Sequence, residues 1–531
     1  MNAMIRLVLE KLEDPVDLST ASLVSTAWYD ADSNTRERIT VPLSYAASPG
    51  KLSQRFPNVK YLRVKVRPSE EMFELVSAFW GGSASPWINE IAISGLEALE
   101  LNWCRGFTTD GLMSITKRCR NVESLVIGNC LLEERNGEWL HEIALHNSSL
   151  KVLHCHESDI SMISLQDLET IVERCLSLIS LKISDFDLAQ LEATLRAATR
   201  LEEFYGGCII VDPDNEEDND KYMALDESIP PNLCRVGDLI DLHVDEISIL
   251  FGFANRIQKL DLFRTDLLVD AHCILLEKLP NLEVLKTSNN IGDRGLIALS
   301  QFCKKLKELE ISLVGDEEEN ERWDCTVPDR GMRSVAENCK GLESIVVCMI
   351  KVSDSSLLAI AELKELRRFE LVLIPTNVMR IESLDNGVGS LLSSCGKIRK
   401  ITLHLLPGCL SDLGMGYIGE FGRNLRRVKL VSVGDSDLLA KGCKQLQKLE
   451  MVNCPFNEKG LATAVTNLSS LKYLWACGYN KVERRDLSIM SHPRWKIELS
   501  SSAVEENCHL VAYPCLGYEL SDYPEIIVRY N

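Results

Sequence analysis

The chain has 531 residues, of which 45% are hydrophobic, enough for several domains or for one long array of repeats. Its 78 acidic and 58 basic residues give a net charge of −20, and such a surface repels nucleic-acid phosphates, so nucleic-acid binding is not expected. A secretory signal and apolar runs of the ~18 residues that a membrane helix needs are both absent, which predicts a protein of the nucleus or cytoplasm without membrane contact.

Residues 1–45 lie outside the repeats described below and are predicted to form a small helical head. Leu7 and Leu12 have the spacing of a short amphipathic helix. The pair Asp14-Pro15 breaks that helix, and Asp17 is placed to cap the next one. An N-terminal cap for the repeat array is one interpretation of this head, since such arrays need one.

The segment from Val8 to Trp28 also resembles an F-box. It has a leucine before Asp-Pro, a following aspartate and Ala21-Ser-Leu-Val24 ahead of the tryptophan, but Ser25-Thr-Ala27 replaces the usual Cys-Lys or Cys-Arg, and the usual Leu-Pro start is absent. The resemblance implies docking on the adaptor subunit of an SCF-type cullin-RING ubiquitin ligase. The residues expected to contact the adaptor are Leu12, Pro15, Asp17, Leu23, Val24 and Trp28.

Most of the remaining chain repeats one pattern, a cysteine followed by three spaced aliphatic residues, at intervals of about 21–28 residues. This period and the final L-x-L predict an α/β leucine-rich-repeat solenoid, or horseshoe, over residues 46–500, with a C-terminal cap over 501–531. We expect the cysteines to pack between helix ends, and the absence of C-x-x-C pairs argues against zinc. They are Cys119, Cys175, Cys303, Cys339, Cys395 and Cys443.

Each repeat is predicted to contain a strand and then a helix that starts at an aspartate N-cap, such as Asp110 or Asp293. The residue between the last two aliphatics should face the concave side. These residues include four acidic ones, with Lys182 and Lys429 as counterweights, so a basic partner segment is expected. The acidic members are Asp261, Glu310, Glu370 and Glu450. Irregular stretches at 212–220, 316–321 and 374–380 should form rim loops.

Long segments in addition to the repeats are similar to the plant F-box/leucine-rich-repeat hormone receptors, in particular their jasmonate-receptor branch. Among them are Arg55-Phe-Pro-Asn58, Gly106-Phe-Thr-Thr-Asp-Gly-Leu112, Trp139-Leu-His-Glu142, Leu384-Asp-Asn-Gly-Val388 and Leu446-Gln-Lys-Leu-Glu-Met451. The resemblance implies a surface that binds a jasmonoyl-isoleucine-type conjugate together with a repressor degron, above an inositol polyphosphate. The resemblance also implies that the chain needs no cofactor for chemistry, because other subunits of the ligase transfer ubiquitin.

The residues that match or occupy this implied ligand and degron pocket are Arg63, Lys65, Met72, Phe73, Leu75, Glu310, Glu370 and His404. Several depart from the family's pattern. Ser69 replaces a pocket arginine, Glu310 and Glu370 reverse the charge of two more, and Cys348 and His404 replace tyrosines. Each lost charged hydrogen bond costs roughly 2–5 kcal/mol, so we predict no receptor-like hormone affinity and weak inositol polyphosphate binding at best.

The leading functional interpretation is therefore a diverged substrate-recruiting subunit of an SCF ubiquitin ligase. Its expected partners are the adaptor, the cullin through it, and a protein substrate such as a jasmonate-pathway repressor. Two alternatives are a jasmonate co-receptor with altered ligand preference and a scaffold uncoupled from the ligase. An enzyme is not expected, since Gly-rich phosphate loops and nucleophile elbows are absent, and His154-Cys-His156 on alternating strand positions does not suit a metal.

Overall fold

The computed structural model describes residues 2–12, 15–42, 49–65, 88, 95–102, 104–132, 137–155, 163–183, 186–210, 222, 225, 228–265, 267–312, 329–349, 352–373, 382–433, 442–454, 467–471, 473–477, 496–500, 509–513 and 527–529. The chain divides into two compact units, residues 1–241 and 242–531. The three irregular stretches predicted to be rim loops lie outside the described residues.

The first unit begins with three short helices, α1 (Asn2–Leu9), α2 (Pro15–Ser22) and α3 (Thr26–Thr35). They enclose a small apolar cluster, since Ile5, Leu9 and Ala31 are buried. The predicted cap at Asp17 was wrong, because α2 already starts at Pro15. Proline suits a first helical position, where its fixed φ is helical and its missing N–H has no partner to lose.

An ionic contact joins α3 to α4 (Pro49–Arg55), the helix that leads into the first repeats. Asp32 is fully buried and pairs with Arg36 at 2.7 Å, while Arg55 lies 3.8 Å from its other oxygen. The Arg55 guanidinium also stacks 4.3 Å from the centre of the Tyr29 ring. Asn58 donates a hydrogen bond to the Asn34 carbonyl at 2.8 Å. The Arg55-Phe-Pro-Asn58 segment therefore fastens the head to the repeats.

The first unit continues as a parallel sheet whose strands follow chain order. The sheet begins at Arg38, where the first strand pairs with the second. This start lies inside the range 1–45 that was predicted for the head. Its described strands are β1 (Arg38–Pro42), β2 (Tyr61–Lys65), β3 (Ala98–Asn102), β5 (Ser124–Gly128), β7 (Val152–His154), β8 (Ser180–Lys182), β9 (Glu203–Tyr205) and β10 (Arg235–Gly237), with β4 (Arg105–Phe107) and β6 (Leu131–Leu132) as a separate pair. Consecutive helices pack together, namely α5 (Thr109–Arg118), α6 (Glu138–His146), α7 (Leu165–Arg174) and α8 (Glu192–Ala197).

The second unit repeats the same strand-and-helix alternation. Its described parallel strands are β11 (Lys259–Asp261), β12 (Val284–Ser288), β13 (Glu308–Ser312), β14 (Ser344–Met349), β15 (Arg368–Leu373), β16 (Lys400–His404), β17 (Arg427–Val431), β18 (Lys448–Val452), β19 (Tyr473–Cys477) and β20 (Lys496–Ser500). The antiparallel strands β21 (His509–Tyr513) and β22 (Ile527–Arg529) follow, in the range predicted for the cap. The helices are α9 (Val269–Leu276), α10 (Gly292–Phe302), α11 (Asp329–Asn338), α12 (Asp354–Ile360), α13 (Asp385–Ser394) and α14 (Asp412–Phe421). The predicted leucine-rich-repeat fold is confirmed.

Five of the six repeat cysteines directly follow a described helix, as the spacing predicts. Cys303 and Cys395 follow the last residues of α10 and α13, and both are buried. The thiols of these cysteines contact backbone carbonyls of the preceding repeat. Cys395 Sγ lies 3.4 Å from the Ala361 carbonyl oxygen, and Cys443 Sγ lies 3.4 Å from the Ile418 carbonyl oxygen. Burial raises the pKa of Cys443 to about 12, which keeps this thiol protonated. These cysteines tie neighbouring repeats together.

The aspartates at the helix starts have a different role from the one predicted. Asp293 lies inside α10 rather than at its N-cap, and its Oδ1 accepts a hydrogen bond at 2.5 Å from the backbone N–H of Gly331 in the next helix. Asp354 binds Gly387 N–H in the same way at 2.7 Å. The prediction of a self-capping aspartate was wrong, because this carboxylate satisfies the first turn of the following repeat.

Candidate functional site

The exposed face of the second unit's sheet carries rows of side chains fixed by the strand register. Leu309 and Ile311 are buried, so Glu310 between them faces away from the core, as predicted. Alternation of this kind follows from the two-residue period of a strand. One row joins Asp261, Lys286, Glu310, Val346, Glu370, Thr402, Lys429 and Glu450.

The acidic residues of this row are held by basic neighbours. Glu310 pairs with Lys286 at 3.0 Å. Glu370 lies 2.5 Å from both Arg368 and Lys400, and its side chain is only 14% exposed. Burial alone would raise the pKa of Glu370, but the hydrogen bonds from Lys400 and Arg368 outweigh it and lower the pKa below its usual value. Glu370 is therefore charged, and both carboxylates are paired with basic neighbours within the sheet.

A second exposed row was missed by the sequence interpretation, and it changes the charge balance. It holds the residue just before the buried pair of each strand, and four adjacent strands place a basic side chain there: Arg368, Lys400, Arg427 and Lys448. Lys448 pairs with Glu450 at 2.6 Å. The prediction of an acidic concave face was therefore wrong for these strands. The signal was present in the sequence as a basic residue directly ahead of the apolar pair in each of these four strands.

The remaining pocket candidates are divided between the two units. His404 lies half-buried in register with Cys348, two strands away in the second unit. In the first unit, Arg63 pairs with Glu100 at 3.1 Å, and Lys65 ends strand β2. Ser69, Met72, Phe73 and Leu75 lie outside the described residues.

The His154 region offers hydrogen bonding rather than metal ligation. A ring nitrogen of His154 lies 2.7 Å from Ser180 Oγ, and this hydroxyl donates to Glu203 at 2.6 Å. His156 lies outside the described residues. Across the described ranges no group of His, Cys, Asp and Glu is arranged to hold a metal ion, and no helix could cross a bilayer.

The head exposes large apolar side chains. Leu23 and Val24, both predicted adaptor contacts, are 76% and 65% exposed in the turn between α2 and α3. Leu12 and Trp28 instead pack against the inner cluster, while the Pro15 and Asp17 side chains are not described. On α1, one face is also exposed, with Met4, Leu7 and Val8 at helical spacing.

Comparison with known proteins matches both the repeats and the head. Coronatine-insensitive protein 1 of Arabidopsis thaliana is 40% identical over 98% of this chain and 95% of its own length. This chain belongs to the coronatine-insensitive protein family. A member from Oryza sativa subsp. japonica, homolog 1b, is 35% identical over 99% of the chain and 95% of its own length. GRR1-like protein 1 of A. thaliana is 28% identical over 88% of the chain and 85% of its own length. A model of the transport inhibitor response 1 protein domain matches residues 57–101.

Three acidic side chains, Glu308, Glu310 and Glu370, lie on strands β13 and β15. Here Glu308 is exposed, and the other two carboxylates are engaged with lysine and arginine.

Proposed function

We propose that this chain is a substrate-recruiting F-box subunit of an SCF-type ubiquitin ligase in the nucleus or cytoplasm. The head would dock on the adaptor, which connects it to the cullin, and the repeat sheet would hold a protein substrate. The chain itself would perform no chemistry. The observation that carries the proposal is the exposure of Leu23 and Val24 on a helical head that precedes the repeats of this family.

The position of these side chains separates the proposal from a simple N-terminal cap. A head that only capped the repeats would turn its large apolar residues inward, as Ile5 and Leu9 do. Instead Met4, Leu7 and Leu23 are 73%, 61% and 76% exposed. Exposed apolar side chains grouped on short helices are typical of a docking surface for another protein.

Hormone perception is not part of the proposal. Binding a jasmonate conjugate in the family manner requires arginines that pair with its carboxylate. Glu310 and Glu370 stand there instead, and displacing Lys286, Arg368 or Lys400 from them would leave partly buried carboxylates unpaired. Breaking one such pair costs roughly 2–5 kcal/mol. The proposed subunit therefore recruits its substrate without jasmonate.

The head is tested by co-purification with a plant SCF adaptor. We expect Leu23→Glu to weaken adaptor binding at least about 30-fold, because truncating or charging an interface anchor costs about 2 kcal/mol or more. Leu176→Glu is the matched control, since Leu176 is 70% exposed in a turn that follows α7. Equal adaptor binding by the two variants, both with unchanged melting temperature, would contradict the proposed docking surface.

A further inference from the structure

A band of basic residues crosses the second unit's sheet, and it is called the basic strip below. It comprises strands β15–β18 with the residue before each, that is 367–373, 399–404, 426–431 and 447–452. These segments contain eight basic and two acidic residues, a formal charge of +6 in a chain of −20. The same segments of β11–β14, 258–261, 283–288, 307–312 and 343–349, contain three basic and five acidic residues.

The strip is ordered by the sheet. Register places Arg368, Lys400, Arg427 and Lys448 side by side. The preceding residues follow the same order, because Arg399 N–H donates to the Arg367 carbonyl at 2.9 Å and Arg426 N–H to the Arg399 carbonyl at 2.8 Å. Adjacent strands lie about 4.8 Å apart, so the strip spans about 14 Å. This is the length of about four extended residues.

Internal ion pairs use only part of this charge. Arg368 and Lys400 share Glu370, and Arg367 pairs with Glu343 at 3.2 Å. Within the part of the chain that the structure describes, three exposed arginines of the central strands have no ion pair. They are Arg399, Arg426 and Arg427.

We propose that the basic strip binds an acidic segment of the protein substrate. This inference rests on the proposed function, and it gives the substrate segment the opposite charge from the one that the sequence predicts. Arginine fits the task because its planar guanidinium pairs with a carboxylate through two parallel hydrogen bonds. A glutamate- or aspartate-rich stretch of about four residues, lying across the strands, would place carboxylates against the unpaired arginines.

The test measures binding of a labelled poly-glutamate peptide and a matched poly-lysine peptide to the full chain by fluorescence anisotropy. We expect the poly-glutamate peptide alone to bind, and raised salt to weaken it. The double variant Arg399→Glu, Arg427→Glu should lower its affinity at least about tenfold. Arg330→Glu, Arg333→Glu is the control, because it makes the same charge change at exposed positions of helix α11.

Equal losses in the two double variants would overturn the proposal, since binding would then follow net charge alone. Binding of inorganic tripolyphosphate without binding of the peptide would also overturn it, in favour of a small polyanion. If the double variant loses its cooperative melting, the milder Arg426→Gln replaces it. A poly-glutamate affinity of Arg426→Gln equal to that of the unmodified chain would count against the strip. Adaptor co-purification is measured in parallel: its loss with retained peptide binding contradicts the ligase proposal, not the strip.

Discussion

Glu370 lies between Arg368 and Lys400, and the three side chains explain how a half-buried carboxylate is accommodated on this sheet. A lone carboxylate at a half-buried position would be costly. Two basic neighbours at 2.5 Å remove that cost. The acidic residue was visible in the sequence, whereas its compensation was not, because Lys400 comes from the adjacent strand.

The buried side chain of His272 makes the stability of the chain depend on pH. It is buried in helix α9, where one ring nitrogen lies 2.9 Å from the Leu268 carbonyl and the other 2.8 Å from the Thr287 hydroxyl. Burial lowers its pKa to about 4, whereas the unfolded chain has a histidine pKa of about 6.5. The stability that depends on neutral His272 is thus present above pH ~6.5 and is lost as pH falls towards about 4.

We therefore expect the unfolding free energy to lose about 2 kcal/mol between pH 7 and pH 5 through this residue alone. Urea unfolding of His272→Gln should show a correspondingly smaller dependence on pH than the unmodified chain. His243→Gln, at an exposed position of the same unit, is the matched control. An unaltered pH dependence in His272→Gln would show that the buried ring is not the cause.

Helices of successive repeats are joined by pairs of aspartate and glycine. Asp385 Oδ1 accepts hydrogen bonds from Ser411 N–H at 2.9 Å and Gly414 N–H at 3.1 Å. Glycine is required at the receiving position because a Cβ on Gly414 would lie 2.3 Å from that oxygen. Sequence patterns located these helices but assigned the aspartates to their own N-termini, since propensity rules describe one helix and the bond here spans two.

Two glycines of helix α14 give opposite predictions. Gly414→Ala should destabilise the chain by about 1–3 kcal/mol, because the methyl group collides with Asp385 and Leu410. Gly416→Ala has open space around the new methyl group and should stabilise the helix by up to about 1 kcal/mol. Thermal unfolding of the two variants measures whether each change raises or lowers stability. A stabilised Gly414→Ala would contradict the role assigned to the contact between Asp385 and Gly414.

For the molecule as a whole, the sequence predicted the features that recur with the repeat period. It missed the features that depend on contacts between side chains of different strands. Cysteines such as Cys303 and Cys395 repeat with the fold, so their burial at helix ends could be foreseen. The pairing of the exposed charges could not be, because ion pairs such as Lys286–Glu310 and Lys400–Glu370 join side chains of different strands. The start of the sheet at Arg38 was missed because the first strand lacks the full repeat pattern.

The central claim is that this family member recruits a substrate for ubiquitin transfer without sensing jasmonate. It is tested by purifying the chain with a plant SCF adaptor and measuring capture of a jasmonate-repressor degron with and without coronatine. We predict that the adaptor co-purifies and that coronatine leaves degron capture unchanged. Coronatine-dependent capture would contradict the account, since the ligand would then bind despite Glu310 and Glu370 and their basic partners.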